Sequence, residues 1–201
     1  MEVYETETPP GPARVHLDAP EEPTGLLMLG HGAGGGVGAP DLTIAAEVAK
    51  AAGMSVALVE QPYRVAGRKA PAPPAQVDAA WIAVAAHLRE RLGDMPLVTG
   101  GRSFGARVAC RTAAETGAVA VLCLAFPEHP PGKPEKSRQG ELDAVEVPVL
   151  VVQGESDPFG MPTASGQREV VTVKGNHSLK SDLDAVGEAV AAWLARTLPG
   201  V

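Results

Sequence analysis

Cysteine is nearly absent: the chain holds two, Cys110 and Cys123, in 201 residues. There is no C-x-x-C and no cluster of Cys and His at metal-ligand spacing, so the sequence offers neither a thioredoxin-like dithiol nor a metal site. Lying in a predicted helix and a predicted strand, the two cysteines read as buried free thiols in a reducing compartment, with a redox pair as the alternative. Excess positive charge is lacking too. The net charge of −7 argues against a general nucleic-acid or anionic-membrane binder. No apolar run approaches the ~20 residues of a membrane-spanning helix. The opening residues, Met1-Glu2-Val3-Tyr4-Glu5, are acidic and lack the apolar stretch of a signal peptide. A cytoplasmic location is therefore expected. No segment repeats another.

What is present is a chain of one-domain length, 45% apolar and 20% charged. Residues 1–12 are polar and proline-containing and are expected to form a loose arm ahead of a single domain over 13–201. Short strands are predicted at 13–17 (an edge), 25–29, 55–59, 95–99, 119–124, 148–152 and 169–173. Several are continuous apolar runs, the pattern of strands buried on both faces of a parallel sheet. Between them lie predicted helices: from Asp41 to Ala52, through the spaced Val77, Trp81, Val84, Leu88 and Leu92, from Ala106 to about Thr116, and from Asp182 to Leu198 with Ser181 as N-cap. The alternation implies an α/β fold with a mostly parallel sheet flanked by helices. Such sheets place sites at the C-terminal ends of their strands.

Two glycine-rich segments follow strands. Gly101, Ser103 and Gly105 fit G-x-S-x-G in a strand–turn–helix context, the nucleophile elbow. A serine on so sharp a turn needs neighbours with almost no side chain, and the turn aims the next amide, that of Phe104, at the same spot. The other segment, Gly30-His31-Gly32-Ala33-Gly34-Gly35-Gly36, has several readings. It fits an oxyanion loop of the HGGG type, a plain tight turn, or, through Gly30, Gly32 and Gly35 with Glu60 after the next strand, a dinucleotide-binding G-x-G-x-x-G. Residues 37–41 intervene before the helix, which weighs against the last reading, because a pyrophosphate needs the helix N-terminus inside the motif.

A serine hydroxyl needs a base, and the base an orienting carboxylate. Ser103, Asp157 and His177 each lie just beyond a separate predicted strand, in the chain order Ser–Asp–His. Glu155 is the alternative acid. His31 and His129 are alternative bases at the same edge, the first expected to organise the oxyanion loop and the second to shape a substrate rim.

The segments HGAGGG, GGRSFGARVA, VVQGESDPFG and VKGNHSL resemble the α/β-hydrolase superfamily, and most of all its small dienelactone-hydrolase-like branch. FPEHPPGKPEK is similar to a loop of the hydrolase-like group that includes testis-expressed and acetyltransferase-complex homologues. The resemblance implies a compact α/β-hydrolase fold with reduced N-terminal strands and no lid domain. It implies Ser103 as nucleophile, Asp157 and His177 as its partners, and an oxyanion hole from the amides of Phe104 and Ala33. No cofactor is implied. Dienelactone hydrolases proper carry cysteine at the elbow, so their reaction does not transfer to Ser103. The expected activity is that of a serine esterase or thioesterase on small acyl substrates. A hydrolase-like interaction module with little turnover and a dinucleotide-binding oxidoreductase are the alternatives. Tyr63, Phe126, His129 and Phe159 are candidates for the substrate rim. Arg64, Arg68 and Lys69, with Lys133, Lys136 and Arg138, lie on two long loops. They read either as solvated charge or as attractors of an anionic substrate. The sequence gives no oligomeric state.

Overall fold

The computed structural model describes residues 1–198; residues 199–201 of the expected domain lie outside the described part. Eight strands form one sheet: β1 (Glu2–Thr6), β2 (Ala13–Asp18), β3 (Leu26–Gly30), β4 (Ser55–Glu60), β5 (Leu97–Arg102), β6 (Ala120–Leu124), β7 (Val149–Gly154) and β8 (Arg168–Val173). The helices are α1 (Pro40–Ala51), α2 (Pro62–Val65), α3 (Pro74–Leu92), α4 (Phe104–Arg111), α5 (Ala113–Thr116), α6 (Gln139–Asp143) and α7 (Leu183–Thr197). Strand order is β1-β2-β4-β3-β5-β6-β7-β8. β2 runs antiparallel to both its neighbours, and every pair from β4 to β8 is parallel.

Alternation along a buried strand explains the layering. Successive side chains point to opposite faces. Leu27 and Leu29 of β3 pack with Leu42 and Ala45 of α1 and with Val190 and Trp193 of α7. Leu26 and Met28 face the other way, onto Val77, Trp81, Val84 and Leu88 of α3. A third cluster joins Ala106, Ala109 and Cys110 of α4 to Val121 and Cys123 of β6. An all-apolar run is thus consumed on both faces, as parallel sheets require. Cys110 and Cys123 are buried and free.

The N-terminal expectation is corrected. Residues 2–6 are not a loose arm but a strand, in register from Glu2 opposite Leu17 to Thr6 opposite Ala13. The prolines shape the turn between β1 and β2, where Gly11 takes φ 125° and donates to the Thr8 carbonyl at 3.0 Å. Side chains pin the strand from outside: Arg14 pairs with Glu5 at 2.7 Å and Arg91 with Glu2 at 2.5 Å, and the Arg91 guanidinium lies 4.5 Å above the Tyr4 ring. β2 is therefore an interior strand rather than an edge. Two local readings also change. The loop after β4 folds its start into α2, and α7 is capped by Asp182, which accepts from the Ala185 amide at 3.1 Å, rather than by Ser181.

Between β6 and β7 the chain forms only a 3-10 turn at Pro134–Lys136 and the five-residue α6, so among the described residues no lid domain covers the sheet edge. β5, β7 and β8 are parallel to one another, and their C-terminal ends carry Ser103, Asp157 and His177 to the same side.

Candidate active site

Ser103 has φ 53° and ψ −108°, a conformation that typically costs about 1–3 kcal/mol and persists only where its surroundings enforce it. Here the enforcement is visible. Its amide donates to the Leu124 carbonyl at 2.8 Å. A Cβ on Gly101 would lie 2.5 Å from the Gly30 carbonyl oxygen, and one on Gly105 would lie 2.6 Å from the Gly30 carbonyl carbon. β3 and the elbow are in backbone contact, so both positions must be glycine. α4 begins at Phe104, which leaves the Phe104 amide as one of the unsatisfied first-turn donors of that helix.

The Ser103 hydroxyl lies 2.8 Å from His177 Nε2, and His177 Nδ1 lies 2.8 Å from Asp157 Oδ2. An ionised carboxylate only accepts, so Nδ1 carries the proton and Nε2 is free to accept from the serine. Asp157 is held on both oxygens. Oδ1 accepts from the Phe159 amide at 2.9 Å, and Oδ2 also accepts from Gln153 Nε2 at 2.9 Å. The side chain of Asp157 has no exposed area. The Phe159 ring lies against the His177 imidazole, with centroids 4.1 Å apart and planes 30° apart. Glu155, the alternative acid, is exposed.

The loop after β3 is tied down by His31, which is 1% exposed. Its Nε2 accepts from the Gln61 amide at 3.1 Å, so its Nδ1 carries the proton and donates to the Gly32 carbonyl at 2.8 Å. Burial lowers its pKa, consistent with a neutral ring. The Tyr63 hydroxyl donates to the Ala33 carbonyl at 2.7 Å, and burial pushes it up to about 12. Among the described residues the amides of Ala33 and Phe104 donate to no other group. The dinucleotide geometry is not formed. α1 starts at Pro40, beyond the glycine run, and Glu60 is engaged by His16 at 2.7 Å.

The expected rim divides. Phe159 is at the site, against the imidazole. Tyr63 is 3% exposed and Phe126 wholly buried, which corrects both as rim residues. Being just past a strand end fixes the edge of the sheet but not whether a ring turns outward or into the core. Phe126 packs under β6 and β7, and its carbonyl accepts from Gln153 at 2.9 Å. Tyr63 meets the Phe104 ring edge-on at 6.3 Å. His129 donates from its amide to the Phe159 carbonyl at 2.9 Å, and its ring crowds Gly160, so it buttresses the acid turn. Arg64 donates to the Arg68 carbonyl at 3.1 Å, and Arg138 to the Pro127 carbonyl at 2.9 Å; these two brace their own loops. Arg68, Lys69, Lys133 and Lys136 are exposed.

Gln153 was not among the candidates. It is fully buried, and one Nε2 reaches Asp157, the Phe126 carbonyl and the Gly160 carbonyl, at 2.8 to 2.9 Å. The available signal was a lone amide ending an apolar strand, since a buried polar group needs partners. Among the described residues no group of three His, Cys, Asp or Glu side chains is placed to hold a metal ion, and no helix is long and apolar enough to cross a membrane.

The family described as alpha/beta hydrolase domain matches residues 23–190. A comparison with curated proteins found no match. Among solved structures, an α/β serine hydrolase without a lid from Xanthomonas campestris shares 24% identity at a TM-score of 0.80, over 100% of this chain and 96% of that one. Est1E from Butyrivibrio proteoclasticus, with ferulic acid bound, shares 17% at a TM-score of 0.81, over 98% and 99%. A dienelactone hydrolase from Anabaena variabilis shares 18% at a TM-score of 0.75, over 98% of each chain. At these identities the likeness is one of fold.

Proposed function

The chain belongs to the alpha/beta hydrolase domain family, and from that premise we propose that it is a serine hydrolase acting on small acyl esters or thioesters. The observation that carries the reading is the unbroken series from Asp157 through His177 to Ser103, with both contacts at 2.8 Å. Ser103 Oγ attacks the acyl carbonyl carbon as its proton passes to His177 Nε2. Asp157 holds the imidazole in the required tautomer and stabilises the imidazolium. The amides of Phe104 and Ala33 receive the oxyanion, a contribution of about 3 kcal/mol per donor. His177 then protonates the leaving alcohol or thiol. A water activated by the same imidazole releases the acid and restores Ser103. No step calls for a cofactor. The segment FPEHPPGKPEK supports membership of the testis-expressed and acetyltransferase-complex hydrolase-like group within the family.

The test is labelling by a fluorophosphonate probe together with turnover on a panel of p-nitrophenyl esters and acyl thioesters. Wild type should label and turn over, and Ser103→Ala should do neither while unfolding at an unchanged temperature. Asp157→Asn should lower kcat roughly 10⁴-fold, the effect of a wrong tautomer. Labelling that persists in Ser103→Ala sinks the assignment. A folded wild type that neither labels nor turns over any of the panel favours an interaction module instead.

A further inference from the structure

Arg102 ends β5 and directly precedes Ser103. Each nitrogen of its guanidinium meets a different part of the site. Nε lies 2.9 Å from Oδ2 of Asp41, whose side chain has no exposed area. Nη2 donates to the backbone carbonyl of His177 at 2.9 Å. Nη1 lies against Gly32, where a Cβ would come within 3.0 Å of it. One planar group therefore touches the loop that carries the imidazole and the loop that carries the Ala33 amide, and its own backbone is bonded to Ser103.

Asp41 is the anchor. It sits in the first turn of α1, and its Oδ1 meets the Leu42 amide at 3.0 Å. Burial pushes its carboxyl up, against the pull of Arg102. A charge so enclosed is tolerated only beside a fixed opposite charge. Stability alone would explain the pair, but it does not explain the second contact. The bond to the His177 carbonyl is not needed to neutralise Asp41, and it reaches the residue whose position the chemistry depends on. That residue leaves β8, the edge strand of the sheet, on a turn in which Leu179 takes φ 51°. A tie from the elbow itself fixes this turn against Ser103 directly, rather than through three intervening strand pairings.

We propose that Arg102, anchored by Asp41, is a positioning residue that sets His177 at hydrogen-bonding distance from Ser103. The inference rests on Ser103 being the nucleophile. Arginine suits the role because its rigid fork can serve three directions at once, whereas a lysine ammonium is a point charge on a flexible stem.

The experiment compares wild type, Arg102→Gln and Arg102→Lys in the rate of fluorophosphonate labelling, in kcat and KM on a neutral p-nitrophenyl ester, and in thermal unfolding. The glutamine variant should lose about 10²-fold in labelling rate and in kcat together, the usual consequence of a misplacement of about 1 Å, with KM little changed. The lysine variant keeps the charge beside Asp41 and should recover part of the rate. Should the glutamine variant fail to fold, the lysine variant carries the test: a several-fold fall in kcat and labelling at unchanged KM supports the role. A folded variant of either kind that is less heat-stable but labels and turns over at the wild-type rate overturns it, since the pair is then structural only. Wild type that does not label removes the serine-hydrolase reading and this inference with it, which separates the two failures.

Discussion

The site joins two glycine-rich regions that use glycine for opposite reasons. At the elbow and the acid turn the residue is imposed by crowding. A Cβ on Gly101 would meet the Gly30 carbonyl oxygen at 2.5 Å, and one on Gly154 would meet the Asn176 carbonyl oxygen at 2.5 Å. Backbones packed this closely fix the turns of Ser103, Asp157 and His177 against one another. In the loop after β3, by contrast, Gly34, Gly36 and Gly38 have nothing within 4 Å of a Cβ, and none has a positive φ. That loop is held by side chains instead: His31 on the Gly32 carbonyl and Tyr63 on the Ala33 carbonyl. Main-chain packing sets one half of the site, and side-chain tethers hold the other.

The largest effect expected from this contrast is at Gly105. An added methyl would meet the carbonyl carbon of Gly30 at 2.6 Å and the carbonyl oxygen of His31 at 2.9 Å. Neither backbone group can swing aside as a side-chain tip would. Gly105→Ala should therefore cost about 3 kcal/mol or more, the upper end for overpacking, and abolish fluorophosphonate labelling. Urea unfolding measures the first and the probe the second. A folded, labelled Gly105→Ala protein would mean that the packed half has more slack than its geometry allows.

The same contrast explains what could be read from the sequence. That Ser103, Asp157 and His177 meet at one sheet edge was legible because each lies just beyond a strand, and for Ser103 because a sharp turn constrains residue type over five positions. The core helices were legible for the related reason that Val77, Trp81, Val84 and Leu88 recur at helical spacing. β1 was not. Glu2, Glu5 and the prolines after it read as loose chain, and only the pairing with β2 and the cation above Tyr4 show what orders them. Tyr63 and Phe126 were placed at the right edge but on the wrong side of the surface, because position after a strand does not fix which way a ring turns. Gln153 and Arg102 were passed over for another reason. One does not titrate and the other looks like surface charge, and the partners that give them a role are 4 and 75 residues away.

A smaller effect is expected where the two halves meet, at His31. Burial holds its pKa below the ordinary 6.5. The unfolded chain therefore takes up a proton at a higher pH than the folded chain does. Stability from this group is fully present above 6.5 and is lost as pH falls through the folded value. His31→Gln, which cannot titrate, should flatten the loss of stability between about pH 7 and pH 5, on the acid side of an ordinary histidine pKa. Urea midpoints of both proteins across that range make the measurement. An equal acid loss in the two would place the sensitive groups elsewhere and leave His31 as a neutral tether without a linkage signature.

The smallest effect should come from Gly36→Ala, and its smallness is informative. The added methyl has open space, the backbone φ is one that alanine adopts, and no hydrogen bond is displaced. Replacing glycine where the conformation is compatible restricts the unfolded chain and typically stabilises by about 0.4–1 kcal/mol. Labelling by a small probe should be unchanged, because the methyl lies away from the tethered His31-Gly32-Ala33 segment and leaves its donors where they are. A raised thermal midpoint with wild-type kcat would show that position 36 does not need a glycine and that the open half keeps its shape through its tethers. A fall in kcat/KM of tenfold or more in a folded Gly36→Ala protein would reverse that view. The glycine run would then be kept clear for the substrate itself, and the two halves of the site would differ in what crowds them, packed backbone on one side and bound ligand on the other.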